Sequence, residues 1–284
     1  MIRDVLLQEY EVSVVTLDEK GEAKARSTHP VRQFVEDLGN GVHLELVMIP
    51  GGAFLMGSFV RHGYIDEQPQ RRVSVGPFLM GKFPVTQEQW QTLMGKAPSR
   101  FKGARLPVDN ISWKDASRFC ERLSKRTGHV YRLPSEAQWE YACRAGTTGP
   151  FHFGETLTTA VANYNGEFTY QAEPKGIYRH STTEVGSFPP NAFGLFDMHG
   201  NVWEWCADPW HDTYEGAPAD DRVWQFKGED PYRVARGGCW HDTPDVCRSA
   251  TRLKSDANNG DEFMGFRVAM VKPTTWRTDM PAGS

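Results

Sequence analysis

Three clusters carry residue types that could do chemistry: GLFDMHGNVWEW at 194–205, RGGCW at 236–240 and GFRV at 265–268. In the first, Asp197 and Glu204 offer hard oxygen ligands. The irregular backbone that Gly194 and Gly200 imply would add carbonyls, and that is how a protein holds calcium. The alternative at this point is that both carboxylates are solvated or paired with arginines, since the pattern is not the twelve-residue EF-hand loop. The three tryptophans 203, 205 and 240 need apolar seats and acceptors for their N–H groups. His199, inside the turn, reads as a satisfied structural histidine rather than a base.

Five cysteines, an odd number, stand at 120, 143, 206, 239 and 247. No C-x-x-C spacing occurs, so zinc ribbons and thioredoxin-like chemistry are unsupported and buried free thiols are expected. The 284 residues carry 39% hydrophobic and 24% charged side chains and a net charge of -4, as in an ordinary soluble domain. No basic face is implied, so nucleic acid is not an expected partner. No stretch is apolar for long enough to cross a membrane, and residues 1–10 lack the apolar core of a signal peptide. The expectation is a cytoplasmic monomer.

The elements that must position these residues are readable in part. Residues 11–17 alternate and are β-branched, a turn follows at 18–21, and a second strand is expected at 23–27. Residues 44–49 predict a strand, a Gly51-Gly52 kink and a second short strand. Residues 59–72 predict a polar loop, and Val73 and Val75 lead into Phe78 as one strand. Three helices open on Thr86, Ser112 and Ser135, the first with the capping-box shape of Thr86-Gln-Glu-Gln89. Their stops are Gly95, Gly128 and Gly146. Cys120 and Cys143 fall on the inner helical faces. From 146 to 265 periodicity fades, and the stretch predicts an irregular but packed half pinned by tryptophans. One compact domain spanning 44–271 is expected, with a β extension at 1–43 and a tail at 272–284.

The ordered motifs MIPGGAFLMG (48–57), KFPVTQEQW (82–90), PVDNISW (107–113), RLPSEAQWE (132–140), NAFGLFD (191–197), GNVWEW (200–205), RGG (236–238) and GFR (265–267) resemble the formylglycine-generating enzyme, or sulfatase-modifying factor, family. The resemblance covers residues 44–271. It implies an α+β fold of the C-type-lectin type, with short strands, three helices and much irregular backbone. It also implies structural calcium. One family site maps to the side chain of Asp197, the carbonyls of Gly200 and Val202, and the carboxylate of Glu204. A second maps to Asn163 and the carbonyl of Tyr164, with the rest from 173–178, where the aspartate expected of the family is missing.

The oxidising members hold copper on two cysteines four residues apart just after a Gly-Gly-Ser motif. Here Cys239 takes the serine position and Cys247 lies eight residues on, so the pair is unmatched and neither copper nor a catalytic residue is expected. The His-x-x-x-His-x-Glu iron motif of the ergothioneine sulfoxide synthases is also lacking. The segment from 239 to 263 resembles instead the variable region of proteins diversified by retroelements. Its candidate ligand-binding residues are Cys239, Trp240, His241, Asp242, Thr243, Asp245, Val246, Thr251, Leu253, Lys254, Asp256, Asn258, Asn259, Asp261 and Phe263. They lie between the anchors 236–238, 247–250, Arg252 and 265–267. The expected function is therefore a non-catalytic, calcium-stabilised, lectin-like binder of a protein or other macromolecule. The alternative is an oxidase of the same family with a non-standard metal site. Arg248, Arg252 and Arg267 are expected either at the ligand or paired with framework carboxylates.

Overall fold

The computed structural model describes residues 5–59, 63–226, 228, 230–271 and 276–278. Strand β1 (Val5–Leu17) turns at Asp18, whose Oδ1 accepts from the N–H groups of Lys20 and Glu22, and returns as β2 (Ala23–Asp37). The return strand is ten residues longer than expected. Pro30 sits inside it, opposite Glu11, and only residues 33–37 also pair with β3 (His43–Ile49). Over 23–32 the strand therefore has one neighbour, and a proline without an N–H is tolerated on the open side. The expected extension thus adds two strands to the central sheet.

The Gly51-Gly52 kink separates β3 from β4 (Gly52–Met56), as expected. The loop from 59 carries a single 3-10 turn at Ile65–Glu67 and passes into β5 (Arg71–Val75). Phe78 does not continue β5; it opens a separate strand, β6 (Phe78–Gly81). Helices α1 (Gln87–Met94), α2 (Trp113–Thr127) and α3 (Glu136–Arg144) all start where expected, and each opens on a capping box, at Thr86/Gln89, Ser112/Asp115 and Ser135/Gln138. Gly95 and Gly128 end the first two. The third is capped one residue early, by Ala145 in the left-handed region.

The remaining strands are short: β7 (Tyr131–Arg132), β8 (Trp203–Pro209), β9 (Tyr232–Arg236), β10 (Arg252–Asp256), β11 (Met264–Gly265), β12 (Ala269–Met270) and β13 (Trp276–Thr278). Among the described residues they complete a seven-stranded sheet, β13-β1-β2-β3-β6-β12-β7, and a four-stranded sheet, β10-β9-β8-β11; β4 and β5 form a third sheet by themselves. Of the tail expected at 272–284, residues 276–278 run parallel to β1 and the rest lie outside the described residues. Trp205, Phe119 and Phe266 fill one core between the sheets and α2, while Trp139, Met198 and Val234 fill a second around α3. No described helix is long and apolar enough to cross a membrane.

Candidate functional site

The turn at 197–204 is built from three left-handed residues, Asp197, Gly200 and Asn201. Only glycine fits at 200: a Cβ there would stand 2.2 Å from the Asn163 carbonyl oxygen. Gly200 N–H donates to the Gly237 carbonyl and Asn201 N–H to that of Asn163. The Asn201 amide closes the staple, accepting from Thr183 N–H and donating back to its carbonyl. The turn thus joins the first two clusters, and β11 brings the third alongside by pairing Gly265 with Glu204.

Asp197 is buried, and its Oδ2 accepts from Gly186 N–H at 2.7 Å while Oδ1 has no partner among the described residues. Burial is the main cause that pushes its carboxyl up to about 6. An orphan oxygen in such a place fits a cation. Glu204 already has partners within the chain. Its Oε1 and Oε2 each accept from Arg267 at 2.6 Å, and Oε2 also accepts from Trp139 Nε1 at 2.7 Å. The guanidinium, itself buried, neutralises the carboxylate from one side, so Glu204 is the counter-ion of Arg267. At the second mapped site, Asn163 Oδ1 is buried without a partner, which fits a cation, and Tyr164 is held by its hydroxyl on the Leu157 carbonyl. Glu173 is spent on the N–H groups of Tyr170 and Gln171. No three His, Cys, Asp or Glu side chains group as metal ligands among the described residues.

The other arginines behave like Arg267. Arg236 pairs with Glu140 and donates to the carbonyls of Ala250 and Thr251. Arg248 is bidentate on Glu67 at 2.6 and 3.0 Å, and Arg252 on Glu136 at 2.6 and 3.1 Å. All four are buried. Of the two expectations for Arg248, Arg252 and Arg267, pairing with framework carboxylates is the one found.

All five cysteines are buried and free. Burial raises the thiols of Cys206, Cys239 and Cys247 well above their ordinary value, and that of Cys143 to about 12. Asp242 raises Cys239 further, and its Oδ2 accepts from the Cys239 N–H. Neither Cys239 nor Cys247 opens to solvent. His199 bridges backbone: Nδ1 donates to the Cys247 carbonyl at 2.8 Å and Nε2 accepts from His152 N–H at 3.1 Å. Burial lowers it to about 4, so it is the satisfied neutral histidine expected.

The fifteen candidate ligand-binding residues do not share one patch. Trp240, His241 and Phe263 form an aromatic cluster that Phe101 and Tyr178 complete, with Tyr178 Oη on His241 Nδ1. Asp242 and exposed Asp261 flank it in sequence. Thr243 bonds to Asp245, which accepts from Tyr64 Oη, and Val246 follows half-buried. Leu253, Lys254 and Asp256 lie on β10, where the Lys254 ammonium sits over the rings of Tyr232 and Trp210. Asn258 and Asn259 continue into the next turn. Cys239 and Thr251, each 2% exposed, display nothing to a macromolecule. Phe101 and Tyr178 carry no local signal, for each is a lone aromatic in an irregular loop.

Residues 36–272 match the model of the sulfatase-modifying factor enzyme 1-like domain. The chain belongs to that family. Among curated relatives of the domain, it is 30% identical over 297 residues to the serine/threonine-protein kinase pkn1 of Chlamydia caviae, across 94% of this chain and 42% of that protein. It thus spans about two fifths of the length of that relative. It is also 30% identical to the inactive C-alpha-formylglycine-generating enzyme 2 of Bos taurus, over 82% of this chain and 90% of that one. Among solved structures, PvdO from Pseudomonas aeruginosa superposes with a TM-score of 0.73 at 34% identity, covering 83% of this chain and 97% of that one. Treponema denticola variable protein 1 superposes at 0.71 with 25% identity, covering 84% and 98%. The fold is accordingly the family's α+β, lectin-like one, as the motifs implied.

Proposed function

We propose that this domain is a non-catalytic binder of the sulfatase-modifying factor family, whose recognition surface centres on His241, Phe263, Phe101 and Tyr178, backed by the buried Trp240. The observation that carries the reading is the state of the thiols. All five are buried and none is favoured as a thiolate, whereas a copper-holding pair needs two deprotonated sulfurs open to one ion. The likeness to an inactive formylglycine-generating enzyme and to a variable protein supports the same reading. The partner is a protein or other macromolecule, neither nucleic acid nor membrane, met by a cytoplasmic monomer. Residues 239–263 are the segment that retroelement-type diversification would alter.

Calcium serves as a structural ion in this reading. Asp197 Oδ1 and the carbonyls of Gly200 and Val202 would hold one ion, and Asn163 Oδ1 with the Tyr164 carbonyl would contribute to another. The ion would supply charge neutralisation and would tie the 163 loop to the 197–202 turn, which already meet through the Asn201–Asn163 hydrogen bond.

The test is Cu(I) titration against a chromophoric chelator, with oxygen uptake followed on a cysteine-containing peptide. No retained copper and no uptake are expected; stoichiometric copper with uptake would overturn the reading. For calcium, melting in excess EGTA should fall below melting in millimolar Ca²⁺, and equal values would remove the ion from the account. An adenine-rich near-copy of the codons for 236–268 beside the gene is the sign of diversification.

A further inference from the structure

Among the described residues, strand β4 has a strand partner on one side only. It pairs with β5 in an unbroken antiparallel register, Gly52 with Val75 through Met56 with Arg71, and the sheet ends there. Ser74 N–H donates away from β4, to the Ala219 carbonyl. Ala53 and Ser74 are therefore a non-hydrogen-bonded pair, and so are Leu55 and Arg72, two residues along. The main-chain N–H and C=O groups of Ala53 and Leu55 consequently point outward from the free edge.

Natural sheets blunt such an edge with a charge, a proline or a bulge. The sequence GAFLM of β4 has none of these. The Phe54 face is covered by Tyr141 of α3, but Ala53 is exposed and Leu55 is 47% exposed. A groove of about 520 Å³ runs along the strand, lined by Ala53, Leu55, Arg72, Tyr141, Thr148 and Phe193. A second cavity of about 410 Å³ continues it past Gln70, Arg144 and Thr148. Arg144 is paired with Glu140, whereas exposed Arg72 has no acidic partner among the described residues. The groove thus offers unpaired main-chain groups, apolar walls and one free cation.

We propose that the open edge of β4 is a docking site for an extended segment of a partner polypeptide. The segment adds as a strand beside Ala53 and Leu55, sets an apolar side chain against Tyr141 and Phe193 on the Phe54 face, and on the opposite face brings a carboxylate past Leu55 to Arg72. Five residues of strand span about 17 Å, enough for a short linear motif. This surface is separate from the Trp240 cluster and does not depend on it.

A random decapeptide library panned on the full chain provides the probes, and the selected peptides are measured by fluorescence anisotropy. They should combine an apolar residue with Asp or Glu. Leu55→Pro removes an N–H that faces the groove and leaves the β5 ladder, which runs through Gly52, Phe54 and Met56. It and Arg72→Glu should each weaken binding at least tenfold. N-methylation of alternate peptide amides should abolish it, while His241→Ala leaves it unchanged. Arg72→Glu, at an exposed site, decides the matter if the proline variant does not melt like the parent. Failure to select any peptide, variants that bind as tightly as the parent, or indifference to N-methylation would overturn the proposal. So would a dimer in sedimentation that Leu55→Pro dissolves, because a second copy would then be the occupant.

Discussion

Asp208→Asn isolates the cost of a carboxylate inside the second core. Asp208, on β8, is buried, and its two oxygens accept from the N–H groups of Glu136, at the start of α3, and Trp224. Burial first and the charge of Glu136 second push its carboxyl from 3.8 up to about 7. The folded protein thus holds this proton more tightly than the unfolded chain. Its contribution to stability is complete below about pH 4 and is lost as the pH rises through about 7. At about 1.4 kcal/mol per pH unit of difference, the loss comes to about 4 kcal/mol by pH 8.5. Asparagine cannot ionise, and its NH₂ group fails to accept one of the two backbone hydrogen bonds, a cost that does not vary with pH. The assay is urea denaturation of parent and variant between pH 4.5 and 8.5. Subtracting one curve from the other removes the other buried carboxyls, Asp109 and Asp197, which are pushed up to about 6. The variant should be the less stable at pH 4.5 and should gain on the parent by several kcal/mol toward pH 8.5. A difference that stays flat over this range would refute the reasoning, because the carboxylate would then be ionised throughout.

Arg267→Ala strands Glu204 and should cost about 3–5 kcal/mol in urea denaturation; a cost under about 1 kcal/mol would mean that the pair is solvated. Ellman's reagent should label no thiol of the native chain and all five after unfolding, and two fast-reacting thiols in the native state would contradict their burial. Ser112→Ala removes the acceptor for Asp115 N–H and should cost about 1 kcal/mol, read in the same denaturation assay.

The helices were legible because a capping box is local: Ser112 and Asp115 satisfy each other within one turn, and the chain nearby contains the whole reason. The hairpin was legible at β1 and cut short at β2, since Pro30 reads as a strand breaker until its unpaired side is known. Asp197 was found as a buried oxygen in a strained turn. In the sequence Glu204 reads as a hard oxygen ligand beside it, whereas the structure shows as its partner a guanidinium 63 residues further along. The alternative drawn from the residues alone, a carboxylate paired with an arginine, describes it. The resemblance to a diversified segment implies that Cys239 and Thr251 are displayed, yet the chain folds both inward. The aromatic cluster was half seen: Trp240 and Phe263 come from one segment, but Phe101 and Tyr178 arrive from loops with no period to betray them.

The irregular half between 146 and 265 has few ladders, so something else must fix its loops. Four buried guanidinium groups do this. Arg236, Arg248, Arg252 and Arg267 reach Glu140, Glu67, Glu136 and Glu204 across 96, 181, 116 and 63 residues. Each also donates to backbone carbonyls, such as Ala250 for Arg236 and Phe196 for Arg267. A rigid planar fork suits that task where a lysine would not. Such pairs add little net stability against an apolar alternative, but losing either partner is costly. Because these staples and the glycine turn at 200 hold the backbone, exposed residues such as His241, Lys254 and Asn258 bear little of that load. A framework of this kind can accept new side chains at its exposed positions and keep its shape, which is what a display surface requires.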